Sequence, residues 1–65
     1  MKLYQLNIWS PFDGPINYGY YRCKDNAALK AAARIKEGEE FIKEQYPAED
    51  IRPYEFWIEE IKTED

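Results

Sequence analysis

What most constrains this chain is the lack of a staple. Cys23 is the only cysteine and there is no histidine, so neither an internal disulfide nor a zinc site built from Cys and His is available. In a chain of 65 residues this matters, because a domain of that size buries only about 60% of the surface its unfolded state exposes. The length allows one domain at most, spanning residues 1–65. Cohesion must come from dense aromatic packing, from self-association, or from both. Aromatic residues make up 17% of the chain, a high share, so the rings are expected to supply much of the buried area.

Tyr4, Leu6 and Ile8 alternate with Gln5, Asn7 and Trp9, the period of a strand with one oily face, which places a first strand at Lys2–Trp9. The stretch Ser10–Pro15 then gathers two prolines and a glycine and reads as a hairpin loop. A second strand is expected at about Asn17–Cys23, with Tyr18, Tyr20 and Arg22 on one side and Gly19, Tyr21 and Cys23 on the other. Gly19 is read as a place where a ring or helix comes close to the strand. On the inward side, Cys23 reads as a buried, inert thiol.

Asp25 reads as a helix N-cap, with the helix starting at Asn26 and running to Tyr46, where Pro47 ends it. Ala28, Ala32, Ile35, Ile42 and Tyr46 form one stripe at helical spacing, and the alanines would let the helix lie close to a sheet. Gly38 interrupts this pattern and is open to reading as a kink or a break, with one helix, bent at most, preferred. After the return loop 48–53, the run Tyr54–Ile61 fits either a strand or a helix with Pro53 as its first residue. Strand is preferred, since its residues are β-formers and a lone hairpin would be too narrow to stand. Phe56 and Ile58 then join the core, while Glu55, Trp57 and Glu59 face outward. The acidic end, Thr63–Asp65, is expected to fray.

These elements assemble into an α+β fold, ββαβ, whose three-stranded antiparallel sheet has order 2-1-3 and one helix packed on one face. Putting strand 1 in the centre makes both neighbouring pairs antiparallel and leaves the helix as the crossover between parallel outer strands. One helix covers one face of a sheet. Alternation puts Trp9, Tyr18, Tyr20, Arg22 and Trp57 on the other, a combination of rings and guanidinium enriched at protein interfaces. Three occupants are open for that face: a partner protein, a second copy in a homodimer, or the 10–17 loop folded back with Phe12 and Ile16.

Several activities are argued against by what the chain lacks. Without histidine the commonest general base is missing, and Cys–His and Ser–His nucleophiles are excluded. The pairs Glu39–Glu40, Glu59–Glu60 and Glu64–Asp65 read as solvated charge, because adjacent side chains diverge on a helix or strand. Gly14, Gly19 and Gly38 are too scattered for a phosphate loop, and no calcium loop is present. The reading is therefore not an enzyme, with no catalytic residue, metal site or cofactor.

Charge is split along the chain. Residues 1–36 carry six Lys or Arg against two Asp, whereas residues 37–65 carry eleven Asp or Glu against three Lys or Arg, within a net charge of −4. A net acidic chain without a basic stripe is a poor partner for phosphate backbones, which argues against nucleic acid; stacking of single strands on the rings is the weakest contender. The alternating start, with no continuous apolar run, argues against a signal peptide or membrane span, and a cytoplasmic location is the simplest expectation.

The order of elements, the opening Met-Lys-x-Tyr strand and the phrase Cys-Lys-Asp-Asn-Ala-Ala leading into the helix together resemble the small ββαβ proteins of bacteriophages and other mobile elements. Some of those proteins are stoichiometric inhibitors of host defence proteins, anti-CRISPR proteins among them. The resemblance implies a protein-binding, inhibitory role and transfers no functional residue.

Overall fold

The computed structural model describes residues 2–63, arranged as β1 (Lys2–Ser10), β2 (Gly14–Tyr21), α1 (Lys24–Gln45) and β3 (Glu55–Lys62). The sheet order is β2-β1-β3, with both pairings antiparallel, so the expected ββαβ architecture is the one observed. The expectation for the C-terminal end falls largely on residues 64 and 65, outside the described residues.

The hairpin is tighter than the sequence suggested. Only Pro11, Phe12 and Asp13 form the turn, and Gly14 and Pro15 already pair with Ser10 and Trp9. Ser10 explains this. Its side chain is buried, and its Oγ accepts hydrogen bonds from the amides of Phe12 at 3.1 Å and Asp13 at 3.4 Å. Gly14 closes the turn at φ +76, a left-handed conformation that favours glycine.

A bulge changes the sides of β2. Gln5 pairs with Tyr20 but Asn7 pairs with Asn17, so two steps on β1 face three on β2. Gly19 absorbs the extra residue at φ +102, and its amide donates to Asn17 Oδ1 at 2.7 Å. No atom lies within 4 Å of a side chain built at Gly19, so backbone conformation, not the close approach expected from the sequence, is what calls for glycine there. The flip puts both Tyr18 and Tyr21 against the core and sends Tyr20 to the opposite face, correcting the shared side given to Tyr18 and Tyr20.

The helix begins at Lys24, with Cys23 as an extended N-cap that makes no side-chain capping bond, so Asp25 is not the cap and instead lies in the first turn. There its carboxylate faces the positive end of the helix dipole. Cys23 is exposed, contrary to the buried thiol inferred from strand alternation, because β2 ends at Tyr21. The helix runs through Gly38 without a break and ends where the Tyr46 amide donates to Ile42 O at 2.8 Å, just before Pro47.

The helix stripe facing the sheet keeps Ile35 from the expected one but differs in its alanines and at its C-terminal end. Ala27, Ala31 and Gly38 are buried, Ile35 packs against the core, and Ala32 and Tyr46 are exposed. Gly38 provides room: Tyr54 packs over it, and a side-chain carbon at this position would come within 2.6 Å of the Tyr54 hydroxyl oxygen.

Among the described residues, only Leu6, Ile8, Ala27 and Ala31 form the fully buried apolar core, with Tyr18, Tyr21, Ile35, Tyr54 and Ile58 packed around it. Phe56 does not join it. Although it pairs with Ile8, it lies on the edge strand and stays 45% exposed. The result is a thin slab, 50 × 18 × 11 Å, with a Cα radius of gyration of 13.8 Å. A compact chain of this length would have a radius near 11 Å. The accessible surface of 4952 Å² also exceeds the roughly 4,400 Å² of a typical folded monomer of this mass.

Candidate functional site

Directly opposed residues in antiparallel strands share a face, so the register defines the side of the sheet away from the helix. Gln5, Asn7 and Trp9 of β1 lie there, flanked by Tyr20, Asn17 and Pro15 of β2 and by Glu59, Trp57 and Glu55 of β3. Of the five residues expected on this face, Trp9, Tyr20 and Trp57 are on it. Tyr18 faces the helix, and Arg22 lies beyond the end of β2, where alternation assigns it no face.

The hairpin loop does not cover this face. Its tip turns to the helix side, where Phe12 meets Phe41 at a centroid distance of 6.1 Å and Tyr46 at 5.9 Å. Ile16, read as part of that loop, is a β2 residue paired with Ile8. Tyr20 is therefore left 56% exposed and Trp57 41% exposed.

Polar groups order the face at both ends. Gln5 Nε2 donates to the Tyr20 hydroxyl at 3.3 Å. At the far end the Arg52 guanidinium stacks over Trp9, 4.3 Å from the ring centroid, and pairs with Glu55 at 3.2 Å. Between them Asn7 is partly buried, with its Nδ2 enclosed and without a hydrogen-bond partner among the described residues. Reading the sequence missed Arg52, since nothing local ties a loop residue to a ring on the first strand.

A concave region lies on the helix side, away from the three rings. Phe12, Phe41, Tyr46 and Tyr54 border an open groove of about 480 Å³, together with Arg34 and Glu37. Arg34 is already engaged: it pairs with Glu37 at 3.7 Å, and a hydrogen bond to the Tyr18 side chain raises its pKa above the ordinary value. Across the sheet edge, Lys2 bonds Glu60 at 3.1 Å, and that hydrogen bond chiefly raises the lysine pKa.

Among the described residues no group of three or more acidic, cysteine or histidine side chains could hold a metal ion, and no helix is long and apolar enough to cross a membrane. No protein-family model, no curated protein and no solved structure matches the chain, so the site is read from its own geometry.

Proposed function

We propose that the protein is a non-enzymatic protein-binding module that receives a foreign protein on its open sheet face. The observation that carries this reading is the convergence of Trp9, Tyr20 and Trp57 on one face, where Arg52 caps Trp9 but Tyr20 and Trp57 stay exposed because the hairpin tip packs on the other side. Rings held on strands bury large areas at low cost in lost rotamers, which is why they dominate binding hot spots. The absence of histidine and the exposure of the paired carboxylates Glu39–Glu40 support a role without catalysis. The resemblance to small phage ββαβ proteins supports inhibition of a cytoplasmic host protein as the form this binding takes.

A homodimer formed through the same face is the second reading, favoured by the small buried core and the excess accessible surface. One experiment separates the two. Sedimentation equilibrium across the micromolar range is combined with affinity capture from the native host, using the wild type and a Tyr20→Ala/Trp57→Ala variant. The proposal expects a monomer that retains a host protein stoichiometrically, with retention lost in the variant. A dimer dissociated by the same substitutions supports the second reading, and retention untouched by them contradicts both.

A further inference from the structure

The two edges of the sheet are built differently. On β2, Pro15 offers no amide, and the bulge at Gly19 breaks the regular row of backbone groups while Asn17 Oδ1 occupies one of its amides. β3 has no such device. It is eight residues long, contains neither proline nor glycine, and pairs with β1 from Lys62 to Glu55 without irregularity. Its outer row of amides and carbonyls faces no strand among the described residues. Phe56 and Trp57, adjacent and therefore on opposite faces, both remain exposed, at 45% and 41%. A strand laid along this edge would be flanked by a ring above and a ring below.

Charge selects which strand fits. β3 carries Glu55, Glu59 and Glu60 against Lys62. Glu55 pairs with Arg52 and Glu60 with Lys2, leaving Glu59, beside Trp57 on the open face, without an ion pair among the described residues. A second copy of β3 would bring the same net negative charge to the edge, and like charges opposed across strands are destabilising. We propose that β3 is the docking edge for an extended strand of a partner protein in which basic side chains alternate with apolar ones, the basic ones facing Glu59 and Glu55. The inference deepens the protein-binding reading and rests on it, adding backbone pairing to the contact made by the rings.

The test titrates the full ¹⁵N-labelled chain at low salt with a capped Lys-Val-Lys-Val-Lys-Val-Lys peptide and, separately, with its Glu-for-Lys counterpart. The lysine peptide is expected to shift and slow exchange of amides in residues 55–62 but not 14–21. Binding should weaken about tenfold in Glu59→Lys and with added salt, and should be unchanged in Glu40→Lys, the same charge reversal on the exposed side of α1. Equal binding of the acidic peptide, shifts centred on β2, no binding at millimolar peptide, or β3 amides already protected by self-association would each overturn the proposal. If host-protein capture still depends on Tyr20 after such a result, the docking edge fails and the binding face stands.

Discussion

Tyr54 packs over Gly38, and the glycine is there to make room for the ring. In isolation, alanine should stabilise a helix interior by about 1 kcal/mol relative to glycine. Here Gly38→Ala is expected to destabilise instead, because the phenol end of Tyr54 must shift to clear a methyl group, which disturbs a ring packed against the core, and overpacking typically costs about 1–3 kcal/mol. In a Tyr54→Ala background the same substitution should become stabilising. Denaturant titration of the four variants checks this, and a Gly38→Ala effect of the same sign in both backgrounds would remove the packing explanation.

Gly19 should respond for a different reason. Nothing crowds it, but φ +102 is a conformation that side chains disfavour. Gly19→Ala is expected to cost about 1–3 kcal/mol. Loss of the bulge would also move Tyr18 off the helix side, visible as loss of nuclear Overhauser contacts between Tyr18 and Arg34, whose guanidinium carbon lies 6.0 Å from the ring centroid.

Asn7 carries an enclosed amide with no hydrogen-bond partner among the described residues. Removing an unsatisfied buried donor recovers a desolvation penalty of about 1–3 kcal/mol. Asn7→Leu is therefore expected to raise the melting temperature of the monomer, whereas unchanged or lower stability would mean the amide finds a partner in solution.

Strand alternation, the proline- and glycine-rich turn and the alanine-rich run were enough to read the element order and the sheet topology. The errors share a physical cause: they depend on contacts remote in sequence or on the backbone at a single residue. The bulge at Gly19 shifts the phase of β2, so period-two reading misplaced Tyr18, although the Asn17–Gly19 pairing is a local sign of it. Phe56 has the right parity for the core, but an edge strand lacks the neighbour that would cover it. In the helix, Ala27 and Ala31 are buried in place of Ala28 and Ala32, because in a run of near-identical alanines the sequence does not say which of them meets the sheet, while Ile35 is where it was expected. Trp9, Tyr20 and Trp57 were legible as a face, while the Arg52 stack on Trp9 was not.

The central claim is that rings on the open face serve contact and those beneath the helix serve the fold, and unfolding free energy measured on dilute protein tests it most directly. Ile8, only 1% exposed, is the core reference, and Ile8→Ala is expected to cost about 2–5 kcal/mol, enough to unfold much of a domain this small. Trp9 is set aside because Arg52 stacks on it. Tyr20→Ala and Trp57→Ala should each cost no more than about 1 kcal/mol, the worth of a cross-strand pair, while abolishing partner retention. If Tyr20→Ala and Trp57→Ala instead unfold the dilute monomer as fully as Ile8→Ala does, these rings belong to the core and the open face is not a binding surface.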